Sequence, residues 1–91
     1  MYIVVKHQIR DAKAFFEKGM ELTKHLPKDL RADLFLPDKE MKSAVCLWEA
    51  ESVDRVRNFL DKELPYSENS YYEVDATKAV GLERVGLAAS R

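Results

Sequence analysis

The 91-residue chain is long enough for one domain with a single hydrophobic core and too short for two. Hydrophobic residues make up 46% of it and charged residues 34%, which is typical of a globular protein and excludes a disordered or fibrous one. The net charge of −1, with acids and bases mixed along the chain, excludes the basic surface that binds nucleic acid or an anionic membrane. No apolar run approaches the roughly 20 residues of a membrane span. We therefore expect neither nucleic acid nor a membrane as a partner.

The N-terminus and the single cysteine predict where the protein works. The opening MYIVVKHQI has no basic region before its apolar run and no small-residue cleavage site, so it is interpreted as a strand and not as an export signal. One cysteine cannot form an internal disulfide, which favours a reducing compartment. We expect a cytoplasmic location. Because a chain this small often completes its core by association, we also expect a homodimer.

The predicted elements alternate between strands and helices along the chain. Residues Tyr2–Ile9 are β-branched and then alternating, as in a strand, and Asp11 follows as a predicted N-cap. Apolar residues then recur every three or four positions to predict a first helix, which Pro27 ends. The later predicted elements are a strand at Leu30–Leu36, a turn to Lys42, a strand at Ala44–Ala50, a helix at about Val53–Leu64, a polar loop at Tyr66–Ser70 and a strand at Tyr71–Asp75.

The stretch from Ser43 to Asp61 indicates the fold class, because an apolar strand runs almost directly into a helix. Ser52 lies at the junction as a predicted N-cap, and Asp54 suits the positive end of the helix dipole. The whole order, β-α-β-β-α-β, is the split βαβ pattern of a ferredoxin-like α+β fold. Right-handed crossovers then place strands one and three at the centre of a four-stranded antiparallel sheet with both helices on one face.

Residues 1–75 form the predicted domain, and residues 76–91 form a C-terminal tail that we expect to pack on the domain or on a partner subunit. The residue pattern of the tail is ambiguous and allows two local structures in different segments. One is a short helical turn at Ala79–Gly81, and the other is an extended arm at Glu83–Ala88.

Alternation along the strands divides the side chains between a helix-covered face and an open face. The predicted helix side is Ile3, Val5, Ile9, Ala32, Leu34, Leu36, Ala44, Cys46, Trp48, Tyr72 and Val74. The predicted open side is Tyr2, Val4, Lys6, Gln8, Arg31, Asp33, Phe35, Val45, Leu47, Glu49, Tyr71, Glu73 and Asp75. Its apolar members would lie exposed on a monomer, and such patches mark an interface or a groove. We therefore expect a second subunit to cover the open face and to enclose a pocket between two sheets.

Charged side chains on the open face would give this predicted pocket a polar end. Lys6, on a central strand, is predicted to stand between Glu49 and Glu73. The three would form interface ion pairs, a solvated sheet face or a polar site for a ligand. Lys6, Arg31 and Glu49 would orient the polar group of a small, partly apolar molecule. The candidate ligand-binding residues are Lys6, Arg31, Phe35, Glu49, Tyr71 and Glu73.

His7 is the candidate catalytic residue. It lies near the end of strand one, and alternation places it on the helix side. It is either an edge-of-core histidine bonded to backbone or an acid, base or metal ligand at the mouth of a pocket. Cys46 is interpreted as a small buried hydrophobe, and no serine or cysteine has an evident histidine partner. The sequence has no glycine-rich phosphate loop and no zinc motif, so we expect no cofactor.

Two segments resemble the dimeric α/β-barrel superfamily, which includes antibiotic-biosynthesis monooxygenase-like and stress-responsive barrels. They are Lys6-His7-Gln8-Ile9-Arg10-Asp11 before an aromatic-bearing helix, and Val45-Cys46-Leu47-Trp48-Glu49-Ala50 with Ser52 and the later Tyr72-Glu73-Val74. The second is similar to a small bacterial group that includes nickel-binding barrels, in which a strand-one histidine corresponds to His7. Leu60 and Leu64 stand where members of that group carry two helix histidines. The tryptophan and asparagine constellation of the monooxygenases has no match, so oxygenation is not implied.

Three hypotheses follow for the function. The first is a homodimer that binds a small, partly apolar molecule between its sheets, as a binding protein or as an enzyme. The second, implied by the resemblance, is metal binding through His7 with carboxylates. The third is a purely structural interaction domain with side chains filling the dimer interior.

Overall fold

A computed structural model, which describes residues 1–87, confirms the ferredoxin-like α+β fold. The elements are β1 (Tyr2–Ile9), α1 (Ala12–Lys24), β2 (Arg31–Pro37), β3 (Ser43–Glu49), α2 (Val53–Glu63), β4 (Ser67–Glu73) and a 3₁₀ turn at Glu83–Val85. The sheet order is β2-β3-β1-β4, and every neighbouring pair is antiparallel. Within residues 1–87, no helix has the length and apolar character to cross a membrane.

Both helices begin where the sequence predicts. The Asp11 side chain accepts a hydrogen bond from the Ala14 backbone N–H at 3.1 Å, and Ser52 Oγ accepts one from the Arg55 N–H at 3.0 Å. These N-caps satisfy backbone donors that the first helical turn leaves free. The Arg55 guanidinium also donates to both oxygens of Asp29, at 2.6 and 3.0 Å, and so ties α2 to the segment before β2.

The main core lies between the two helices and the inner face of the sheet. Its fully buried members include Ile3, Val5, Phe15, Val56 and Leu60. Trp48 packs against Phe59 of α2 with ring centroids 6.3 Å apart, as expected for a core tryptophan. Burying side chains of this size contributes about 1.5–3 kcal/mol each, and this burial holds the helices on the sheet.

A β-bulge in β2 makes part of the predicted face assignment wrong. The β2–β3 register shifts between Ala32 and Leu34, so that Leu34 pairs with Leu47 on the open side. Phe35 consequently pairs with Cys46 and faces the helices, where its ring lies 5.7 Å from that of Phe16. One inserted residue reverses the parity of every later residue in the strand. Leu36 accordingly lies on the open side, opposite Val45.

The parity predicted for β4 is also wrong. The strand begins at Ser67, inside the predicted loop, and Tyr71 pairs with the inward-facing Val5. Tyr72, paired with Val4, takes the open side instead. The polar residues at the start of β4 form a strand because β1 offers them a free edge, which local sequence pattern does not show.

The open face is partly covered by the chain's own C-terminal segment. Leu87, following the 3₁₀ turn, is buried against Tyr2 and Leu47, with Leu82 and Val74 packed beside them. Neither predicted conformation of the tail is correct over residues 79–87, and Ala88 lies outside the described residues. The part of this face left open displays three half-exposed apolar side chains, namely Leu36, Val45 and Tyr72.

Candidate functional site

A cavity of about 280 Å³ lies between α1 and the inner face of the sheet. Nearly all of its wall is apolar. The lining residues are His7, Phe15, Phe16, Gly19, Met20, Leu22, Thr23, Ala32, Leu34, Phe35, Cys46, Trp48, Leu60 and Leu64. Met20 on α1 is 65% exposed and Phe35 on β2 is 45% exposed, so the cavity opens to solvent between this helix and the edge strand. It lies on the opposite side of the sheet from the predicted pocket.

Aromatic rings form one wall of the cavity. Phe15 makes edge-to-face contacts with His7, at 5.1 Å between centroids, and with Phe16, at 5.3 Å. Phe16 makes a similar contact with Phe35 across the cavity mouth. Edge-to-face pairs contribute about 0.5–1.5 kcal/mol beyond area burial, so this wall is held in a defined shape.

His7, Cys46 and Asn69 form a hydrogen-bonded chain at the inner end of the cavity. His7 Nε2 lies 3.2 Å from Cys46 Sγ, and His7 Nδ1 lies 2.7 Å from Asn69 Oδ1. The sequence shows no evident histidine partner for Cys46, and the structure supplies one in His7. Of the two interpretations of His7, the one with a backbone partner is wrong, because both ring nitrogens contact side chains.

The neighbours of Asn69 determine which atoms carry the protons. Ser67 Oγ donates to Asn69 Oδ1 at 2.6 Å, and Asn69 Nδ2 donates to the Asp61 carboxylate at 3.3 Å. Asn69 Oδ1 therefore faces His7 as an acceptor, and His7 carries its proton on Nδ1. Nε2 then has a lone pair directed at the thiol, so Cys46 donates to His7.

Burial keeps both members of this pair neutral. It lowers the pKa of His7 below the usual 6.5, although the hydrogen bond with Asn69 acts in the opposite direction. Burial also raises the pKa of the Cys46 thiol to about 12. Because a thiolate and an imidazolium are both disfavoured, the two side chains form a neutral hydrogen-bonded pair and not a resting ion pair.

The structure does not bring the predicted ligand-binding residues together in one site. Phe35 lines the cavity, together with the predicted catalytic candidate His7. Tyr71 faces the helices, where its hydroxyl donates to Asp61 at 2.7 Å, and burial followed by this carboxylate raises its pKa. Glu73 pairs with Ile3 at the end of the sheet and is exposed.

The predicted position of Lys6 between two glutamates is wrong. Its strand neighbours are Val45 and Ser70, and its ammonium lies 5.9 Å from the centroid of the Tyr72 ring. Glu49 lies four residue pairs further along the β1–β3 ladder, opposite Tyr2. The structure therefore does not bring Lys6 together with either predicted carboxylate.

Arg31 and Glu49 do meet on the open face, together with Asp33, whose role the sequence does not indicate. Arg31 Nε lies 2.9 Å from Asp33 Oδ1 and 3.6 Å from Glu49 Oε2. The Asp33 side chain is 2% exposed. Burial and then the Glu49 carboxylate raise the pKa of Asp33 to about 6, although Arg31 opposes the shift. This cluster is separated from the cavity by the sheet.

Among residues 1–87, no group of three or more histidine, cysteine, aspartate or glutamate side chains is arranged to hold a metal ion. In the described part of the chain, Cys46 is the one residue of a ligating type within hydrogen-bond distance of His7, and both imidazole nitrogens are already engaged. Two donors do not complete the four-coordinate shell that zinc prefers.

Comparison with protein-family models, curated proteins and solved structures finds no match to this chain. The ferredoxin-like assignment therefore depends only on the order of the strands and helices and on how the strands pair. The functional argument depends on the geometry of the cavity and its hydrogen-bonded end.

Proposed function

We propose that this protein binds a small, largely apolar molecule in the cavity between α1 and the sheet. The observation that carries the proposal is the cavity itself, about 280 Å³ in volume and almost entirely apolar, with the His7–Cys46 pair at its inner end. Small-molecule sites commonly combine apolar walls with a few polar groups in this way.

The volume sets the size of the molecule. An apolar protein cavity of about 150 Å³ stays dry and accepts benzene. A cavity of 280 Å³ is nearly twice as large, and a fused two-ring hydrocarbon is a suitable match. Because the apolar wall atoms of the cavity lack packing partners, an occupant that fills it supplies those contacts.

Filling the cavity from α1 tests this proposal. Gly19 lines the cavity, and a Cβ added there meets no atom within 4 Å. Gly19→Leu should therefore place a side chain in the space and weaken the binding of tetralin, a two-ring hydrocarbon, by roughly tenfold or more, as the ligand loses about 1.4 kcal/mol or more of contact. Isothermal titration calorimetry measures the dissociation constants.

The matched control is Glu17→Leu, which adds the same side chain to the exposed side of α1. It should leave the affinity for tetralin unchanged. Failure of the wild-type protein to bind tetralin would contradict the proposal, as would equal affinities of the wild-type protein and the Gly19→Leu variant.

We further propose that two copies associate through the uncovered part of the open face. Leu36 and Val45 are cross-strand partners there, 59% and 40% exposed, and Tyr72 is 50% exposed on β4, on the other side of Lys6. Exposed apolar residues on one sheet face favour an interface. The resemblance to dimeric α/β barrels supports the same assembly. Sedimentation at micromolar concentration should give a dimer, and a 10.5 kDa particle would contradict it.

A further inference from the structure

His7 forms part of the cavity wall and is 3% exposed, so its charge bears directly on what the cavity can hold. In the neutral ring, Nδ1–H donates to Asn69 Oδ1 and Nε2 accepts from the Cys46 thiol, at 2.7 and 3.2 Å. Both nitrogens are therefore satisfied while the ring is uncharged. A second proton would occupy Nε2, the atom to which the thiol donates.

A protonated His7 would lack a strong acceptor for Nε2–H among residues 1–87. The thiol proton would have to turn away, and the sulfur is only a weak acceptor. The part of the cavity wall that the structure describes includes no aspartate or glutamate. The Asp61 carboxylate of α2 accepts from Asn69 Nδ2 and from the Tyr71 hydroxyl, so it is linked to His7 only through Asn69. From α1, the ring of Phe15 meets the imidazole.

The other charged groups near His7 lie outside the cavity. Lys6 of β1 and Glu68 of β4 border a shallow polar depression that His7 also touches. Both side chains are exposed and opposite in charge, so solvent screens them and their effects on His7 oppose each other. An imidazolium at this position therefore depends on water in the cavity for its hydration.

An apolar occupant removes that water. The empty cavity opens to solvent between α1 and β2, so water can enter and hydrate a charged imidazole. A hydrocarbon that fills the space offers no acceptor in its place, and burying an unhydrated charge is strongly unfavourable. We infer that ligand binding in the cavity and protonation of His7 exclude one another, so that the protein holds an apolar ligand at neutral pH and releases it in acid. This inference rests on the proposed function, since it assigns the regulation of the same cavity.

Proton linkage gives the sign of the effect. Burial lowers the pKa of His7 in the empty protein, and an occupant that excludes water should lower this pKa further. The affinity for the ligand should be full above the pKa of the empty protein. It should fall as the pH falls through that pKa, by up to about tenfold for each pH unit. Because the two equilibria are linked, binding in acid should release a proton.

Isothermal titration calorimetry of tetralin at pH 7.5 and pH 5.0 tests the inference, with circular dichroism to confirm the fold at both. We expect the dissociation constant to be roughly threefold to tenfold larger at pH 5.0. His7→Asn keeps an amide N–H that can donate to Asn69 but cannot take up a proton, so its affinity for tetralin should not change with pH. His25→Asn is the matched control, because His25 is exposed at the end of α1, and it should keep the wild-type pH dependence. Asp33→Asn should keep it as well, because Asp33 has a pKa of about 6 but lies across the sheet from the cavity.

Nuclear magnetic resonance of the wild-type protein decides the question even if His7→Asn fails to fold. The chain has two histidines, so one titration follows both imidazoles, with the exposed His25 as internal reference. Saturation with tetralin should lower the pKa of His7. Equal affinities at the two pH values, a His7 pKa that ignores tetralin, or a wild-type pH dependence in His7→Asn would each overturn the inference while leaving the cavity as a binding site. Absence of tetralin binding at pH 7.5 would overturn the proposed function and this inference with it.

Discussion

Replacing Phe15 with alanine should lower the free energy of unfolding by about 3–5 kcal/mol, the usual cost of deleting a buried phenylalanine. Phe15 is 2% exposed and contacts the rings of His7 and Phe16, so its removal joins new empty space to the existing cavity. Urea denaturation followed by circular dichroism gives the unfolding free energy. Addition of tetralin should restore part of the loss, because a ligand that binds only the folded state stabilises it.

Phe16→Ala is the matched control for this experiment. Phe16 is half-buried on the same helix, so we expect about half the loss that Phe15→Ala causes. The Phe15→Ala variant should also move the pKa of His7 back toward its ordinary value, because burial is what lowers that pKa. Equal losses in the two variants would show that Phe15 is not the main packing residue of this wall.

Asp33→Asn should increase stability at pH 8 and change the pH dependence of unfolding. Asp33 has a folded-state pKa of about 6 against an ordinary value of 3.8. Its contribution to stability is therefore fully present below about pH 3.8 and is lost as the pH rises through about 6. A pKa shift of this size corresponds to at most about 3 kcal/mol. Because the neighbouring Arg31 is 67% exposed and solvent screens the cluster, we expect a gain of about 1–2 kcal/mol for the neutral variant at pH 8.

Comparing unfolding at pH 4 with that at pH 8 separates Asp33 from His7, whose effect has the opposite sign. The lowered pKa of His7 gives stability that is present above about pH 6.5 and is lost as the pH falls. Without Asp33, the stability of the variant should therefore fall more steeply with acid than that of the wild-type protein. Asp38→Asn, at an exposed turn position, is the control. A variant less stable than the wild-type protein at pH 8 would show that the Arg31 ion pair outweighs the burial of the Asp33 charge.

The element order and both helix starts were predictable from the sequence because they depend on neighbours a few positions apart. The caps at Asp11 and Ser52 each bind a backbone N–H three residues later, and hydrophobic periodicity marks the helices directly. The predicted burial of Cys46 and the inward parity of His7 also depend on simple alternation along a strand, and both are confirmed. Of the predicted site residues, His7 and Phe35 line the cavity, although Phe35 was predicted for the other face.

Only the tertiary structure decided which side chains meet. The His7–Cys46 contact joins residues 39 positions apart, and the His7–Asn69 contact joins residues 62 apart, so no local spacing indicates either. A bulge of one residue in β2 turned Phe35 into the cavity and Leu36 to the open face, since an inserted residue reverses side-chain direction along the rest of the strand. The cavity and the cover of the open face by Leu87 follow in the same way from how the elements pack. Local sequence determined the elements because their hydrogen bonds and caps are local, whereas strand register and helix packing determined the site because they join distant parts of the chain.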